Sequence, residues 1–170
     1  GLPPKRKDPG MPVLSCTIGN AKIDGCLLDL GASINLMPYS IYAKLDLGPL
    51  QPSRSTLQFA DRSIKALEGI IEDVLIQVGD FVFPADFFVL AMEPIDPNYR
   101  KKQVPVILGR PFLNTANALI NCRSGQMEVS FGNKKMHLTV FKTMEEPSKE
   151  DDDDCFMIDI MDDIVENAKV

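Results

Sequence analysis

Asp29-Leu30-Gly31-Ala32-Ser33 sets a carboxylate at the head of a tight turn, and the apolar run Cys26-Leu27-Leu28 leads into it. About eighty residues later a second apolar stretch, Val104 to Leu108 broken only by Pro105, ends in Gly109-Arg110. A carboxylate held on a rigid loop can do acid–base work on water if a second carboxylate meets it. Two such groups about 3 Å apart cannot both ionise and share one proton. The ionised member draws a proton from water, while the protonated member hydrogen-bonds the carbonyl under attack. Gly31 permits close backbone approach in such a loop, and Ala32 leaves room for a substrate. The chain has one Asp-x-Gly-Ala loop, so a symmetric pair of such loops would take its second carboxylate from a second copy.

Other chemistries lack their residues. The only histidine, His137, lies in an apparent strand far from any serine or cysteine in nucleophile-elbow surroundings, which argues against Ser-His-Asp and Cys-His catalysis. Cys16, Cys26, Cys122 and Cys155 have neither Cys-x-x-Cys spacing nor a histidine at zinc-site spacing. They read as free thiols, buried except for Cys155. No phosphate-binding glycine motif is present, and no metal or cofactor is expected.

The elements that must hold the loop read as short strands. Val13–Ile18 and Ala21–Asp29 flank the hairpin turn Gly19-Asn20. Pro38–Leu45 has helical spacing with proline at the first turn. Leu57–Ala60 and Ile64–Leu67 bracket the polar tip Asp61-Arg62-Ser63; Ile70–Val78 and Phe81–Ala91 meet at Gly79-Asp80. Val104–Leu108 is a buried strand, and Arg110–Ala118 a short helix with Pro111 in its first turn. Ala118–Cys122, Gln126–Phe131 and Met136–Phe141 complete the set. This pattern predicts an all-β, closed or orthogonally packed barrel with one or two short helices. Glu93–Gln103 is expected to be an exposed loop.

The 170 residues, 45% of them hydrophobic, fit one domain with a proline-rich, basic arm at 1–12 and a folded part over 13–141. The net charge of −6 is concentrated at the far end: Glu145–Val170 holds eleven acidic and two basic residues, net −9, leaving +3 elsewhere. A nearly neutral folded part gives no nucleic-acid signature. Residues 142–154 read as an acidic linker. Over 155–170, Phe156, Ile160 and Ile164 recur at i, i+4 opposite Asp159, Asp163 and Glu166. That spacing predicts an amphipathic helix, as a partner-docking element or the start of a following segment. No apolar run reaches the roughly 20 residues of a membrane span, and no secretory signal opens the chain. A cytoplasmic, non-secreted protein is expected.

Four segments together resemble the protease region of plant gypsy-type LTR retrotransposon Gag-Pol polyproteins, a retropepsin-like family. They are DLGASINLMP (Asp29–Pro38), LQFADRS (Leu57–Ser63), GIIEDV (Gly69–Val74) and ILGRPFL (Ile107–Leu113). The similarity runs from Leu2 to Phe141, and Asp154–Asp159 resembles the spacer before reverse transcriptase. The resemblance implies a retropepsin-like fold with one lobe per chain and a homodimeric aspartic endopeptidase that cuts its own polyprotein. By that likeness Asp29 is catalytic, with Leu30, Gly31, Ala32 and Ser33 forming its loop. Phe59, Ala60, Asp61, Arg62 and Ser63 match the flap over substrate, and Ile107, Leu108, Gly109 and Arg110 the element behind the loop. Two alternatives stand for Arg110: a charge-assisted bond to the loop, or a solvent-facing helix start.

One position departs from the family. Thr or Ser usually follows the catalytic Asp and braces the two loops across the dimer; here it is Leu30. An alternative reading is therefore a weak or inactive retropepsin-like dimerisation or protein-binding module. A third reading, a retropepsin-like protease in a ubiquitin-shuttle protein, lacks support because these 170 residues show no ubiquitin-like or ubiquitin-binding segment.

Overall fold

The computed structural model describes residues 11–59, 62–91, 105–121, 123–142 and 160–165. In chain order the strands are β1 (Pro12–Ile18), β2 (Ala21–Leu28) and β3 (Asn35–Pro38), then helix α1 (Tyr39–Leu45). Strands β4 (Thr56–Phe59), β5 (Ile64–Val78), β6 (Phe81–Leu90) and β7 (Ile107–Leu108) follow, then helix α2 (Arg110–Thr115). The remainder is β8 (Leu119–Asn121), β9 (Gln126–Phe131), β10 (Lys134–Thr139), β11 (Phe141–Lys142) and β12 (Ile160–Val165).

Six strands close on themselves in the order β1-β2-β7-β3-β6-β5. The closing pairs are Thr17 with Gln77 and Ile18 with Ile76. Closure leaves no edge within the ring. β11 extends the sheet beyond β1, β4 and β12 extend it beyond β5, and β8–β10 form a separate three-stranded sheet. The predicted all-β barrel with two short helices is what the chain forms.

Period-two alternation fills the barrel. On β6, Phe83, Ala85, Phe87 and Val89 are buried, while the alternate residues Val82, Pro84 and Asp86 are exposed. Phe83 meets Phe112 of α2 edge to face, with ring centroids 6.0 Å apart, a favoured aromatic geometry. Pro111 stands in the first turn of α2, where its missing N–H costs nothing. Phe112 and Leu113 then plug the barrel beside β7.

Several expectations are corrected. Ile64–Leu67 and Ile70–Val78 are not two strands but one, β5, with register shifts between Leu67 and Gly69 and between Ile71 and Val74. Gly69 reads in sequence as a break, yet it is needed for close approach. A Cβ there would overlap the Gln51 carbonyl oxygen, where Gln51 and Ile70 exchange two backbone hydrogen bonds of 2.9 Å. β3 was not expected, and Pro12 belongs to β1 rather than to the arm. The helix expected over 155–170 is also corrected: Ile160–Val165 is a strand, antiparallel to β4. Isoleucine and valine favour extended backbone, and pairing with the otherwise open side of β4 outweighs the i, i+4 spacing. The loop at Glu93–Gln103, the linker at 143–154 and Cys122 and Cys155 lie outside the described residues. No helix among the described residues is long and apolar enough to cross a membrane.

Candidate active site

The Asp29 loop leaves the closed barrel between two strand neighbours that pin both of its ends. Leu27 pairs with Ile107 and Leu28 with Leu108 in parallel. The N–H of Asp29 donates to the Leu108 carbonyl at 2.9 Å, and that of Leu27 to Val106 at 2.9 Å. On the exit side the N–H of Arg110 donates to the Ala32 carbonyl at 2.9 Å. Within the loop, Ala32 N–H donates to the Asp29 carbonyl at 3.2 Å, closing the turn. The segments at 29–33 and 107–110 are thus brought together.

Asp29 is 6% exposed, against 62% for its neighbour Leu30. The Asp29 Oδ1 accepts the Gly31 N–H at 2.9 Å, which fixes the carboxyl plane relative to the loop. Gly31 is exposed and Ala32 fully buried, with Ser33 between the extremes. The carboxyl is thus shielded from water within the subunit, beside an exposed leucine at the turn's tip.

Gly109 cannot be replaced without moving the loop. A Cβ there would overlap the Ile34 carbonyl oxygen and lie 2.7 Å from the Ala32 carbonyl oxygen. Both obstacles are backbone, so neither can swing aside. The Arg110 side chain is exposed, and its backbone N–H holds the loop at this position.

Asn35 is the residue that sequence reasoning missed. It is 2% exposed and bridges three strands. Its Oδ1 accepts the Gly109 N–H at 2.8 Å, and its Nδ2 donates to the Asp86 carbonyl at 3.1 Å. β3 carries it between β7 and β6, where Asn35 pairs with Phe87 in parallel. The available signal was an amide lodged in an otherwise apolar run, Ile34 to Pro38, since a buried amide must find partners.

Of the expected flap, Phe59, Arg62 and Ser63 are described; Ala60 and Asp61 lie outside the described residues. Phe59 N–H donates to the Ser63 carbonyl and Arg62 N–H to the Phe59 carbonyl, both at 2.9 Å, making a hairpin tip with Arg62 at φ 67. Phe59 is buried and Arg62 exposed. Leu57 and Phe59 share an apolar cluster with Leu27, Ala32, Ile34 and Ile107. That cluster seats the hairpin beside the Asp29 loop. A second Asp-Leu-Gly triplet, Asp46-Leu47-Gly48, takes no part: Asp46 is exposed and caps α1 in a left-handed conformation.

Cys16 and Cys26, on β1 and β2, are buried free thiols with sulfurs 3.1 Å apart. The hydrogen bond with Cys16, then burial, push the Cys26 thiol far above its ordinary value. Cys26 therefore serves as a neutral core group.

No protein-family model and no curated protein matches the chain. Among solved structures, the retroviral protease-like domain of Ddi1 from Leishmania major matches with a TM-score of 0.57 at 14% identity. The match covers 79% of this chain and 96% of that one. At that identity the likeness concerns fold, and the chain has the fold of a retroviral protease-like domain.

Proposed function

We propose that this chain is an aspartic endopeptidase, active as a homodimer, that hydrolyses peptide bonds of its own retrotransposon polyprotein in the cytoplasm. The observation that carries this reading is the clamped Asp29 loop: a buried carboxylate whose turn is bonded at both ends to the strand end Leu108–Arg110. Each subunit supplies one Asp29, most simply across a two-fold axis. One carboxylate takes a proton from the attacking water. The other, protonated, donates to the peptide carbonyl oxygen, and the proton passes to the leaving amine as the tetrahedral intermediate collapses. This route needs no metal or cofactor. The test is cleavage of a library of Gag-Pol-derived peptides at acidic pH by the purified protein, with and without pepstatin. Pepstatin-sensitive cleavage supports the reading, and its absence at concentrations where the protein is dimeric overturns it.

The exposed Leu30 favours a second reading, a weak or inactive dimerisation or protein-binding module. An apolar side chain at that position can join two subunits without bracing the catalytic pair. Dimerisation without any cleavage in the same experiment is its signature.

A further inference from the structure

The flap hairpin has one sheet side already used and one that would otherwise be open. β4 pairs through Thr56, Leu57 and Gln58 with Ala66, Lys65 and Ile64 of β5. Its outer side is the end of the nine-stranded sheet but for β12, which pairs Ile160 with Phe59, Ile164 with Leu57 and Val165 with Thr56. An edge with unpaired N–H and C=O groups is a template for any extended chain. Adding a strand to such an edge is a general way of binding peptides. Here the edge belongs to the hairpin whose Leu57 and Phe59 pack with Ala32 of the Asp29 loop.

We propose that the outer edge of β4 is a strand-accepting peptide site, occupied in the resting chain by its own Ile160–Val165, which an incoming polypeptide must displace. The proposal rests on the protease reading only where it equates that polypeptide with substrate. Seventeen residues, 143 to 159, join β11 to β12. Fully extended they reach roughly 55–60 Å, more than the breadth of a domain this size. Tethering on such a length gives an effective concentration of order millimolar, so even a weak strand contact competes with free peptide. The register shift between Ile160 and Ile164 shortens the paired stretch, which makes the occupant displaceable. Charge assists the pairing. Arg54, Arg62 and Lys65 outnumber Asp61 and Glu68 along the hairpin, and the segment around β12 carries Asp159, Asp162, Asp163 and Glu166.

The experiment uses the full chain and an Ile164→Pro/Val165→Pro variant. Successive prolines remove N–H donors on both sides of the strand while leaving the barrel sequence intact. Amide hydrogen exchange is read at Thr56–Phe59. Binding of a fluorescein-labelled peptide of residues 155–168, with serine for Cys155, is read by anisotropy. Exchange at β4 at least about tenfold faster in the variant, together with peptide binding about tenfold tighter than to the parent chain, is expected if the segment occupies the edge about nine-tenths of the time. Unchanged exchange, or equal binding to both proteins, overturns the proposal. Neither readout requires catalysis, so a protein that cleaves nothing but shows both effects refutes the protease reading alone. In an active enzyme the variant has a lower KM at unchanged kcat; an unchanged KM overturns the equation of the displacing chain with substrate.

Discussion

Asn35 accepts the backbone N–H of Gly109 through its side-chain oxygen at 2.8 Å, joining positions 74 residues apart in a buried contact. The same amide donates to Asp86, so one side chain ties β3 to both β7 and β6. The strand end behind the Asp29 loop is therefore fixed by a polar bridge as well as by apolar packing.

Asn35→Leu removes both hydrogen bonds at once, leaving the Gly109 N–H of a buried contact and the part-buried Asp86 carbonyl to find new partners. Each orphaned buried group costs about 1–3 kcal/mol. Urea denaturation monitored by circular dichroism is expected to show a loss within or above that range. Stability within about 0.5 kcal/mol of the parent, the scale of a neutral surface change, contradicts the bridging role.

Gly109→Ala is expected to be worse than its single methyl implies. The new Cβ meets the carbonyl oxygens of Ile34 and Ala32, and overpacking against a rigid neighbour typically costs about 1–3 kcal/mol. Because Ala32 is in the Asp29 loop, cleavage should fall by more than the loss of folded protein accounts for. Specific activity corrected for the folded fraction checks this.

If the chain pairs as proposed, Leu30→Thr is expected to change the dimer and not the subunit. Leu30 is 62% exposed in the single chain, so its replacement opens no cavity within the subunit. A threonine hydroxyl can hydrogen-bond across the two loops, with a net value of about 0.5–1.5 kcal/mol per bond. Sedimentation is expected to give a dimer dissociation constant several-fold lower. A weaker dimer shows instead that Leu30 is an apolar brace, and the absence of a hydroxyl there then carries no sign of decay.

Cys26 is expected to resist alkylation in the folded protein at pH 8 and to react once the chain unfolds, as read by peptide mass mapping. Its hydrogen bond with Cys16 and its burial hold it protonated above its ordinary value of 9.0. Because the unfolded chain loses that proton first, the folded state binds more protons, and stability falls as pH rises through and beyond 9.0. Denaturation midpoints measured from pH 7 to 10 should decline for the parent more than for Cys26→Ala.

What the sequence made legible was the part written in glycine, proline and unbroken apolar runs. A strand entering a tight turn at Asp29-Leu30-Gly31-Ala32 and a strand ending at Ile107-Leu108-Gly109-Arg110 are each local signals, whereas their meeting was legible only through the family resemblance. Gly69 misled because the same residue that breaks a strand also admits a close neighbour, here Gln51, and sequence does not distinguish the two. Asn35 stayed hidden because its partners, Gly109 and Asp86, are distant in the chain. Residues 160–165 carry helical spacing and strand-favouring side chains at once, and an open edge on β4, which no local pattern reveals, decides between them.

On the proposed function, a one-per-chain Asp-x-Gly-Ala loop makes activity depend on association. Below the dimer dissociation constant, specific activity should rise in proportion to protein concentration and then level off, in parallel with the dimer fraction from sedimentation. Constant specific activity in a preparation that stays monomeric excludes a site shared between subunits.

The most direct test is the hydrolysis rate of Asp29→Asn measured beside the parent on one cleavable peptide, with folding verified by circular dichroism. Removing a general acid–base group typically costs 10²–10⁴-fold, and here both members of the pair are lost because both subunits carry the change. The expected result is a folded, dimeric protein with cleavage reduced to background. Cleavage by folded Asp29→Asn at a rate within a few-fold of the parent contradicts the assignment of Asp29 and, with it, the proposed mechanism.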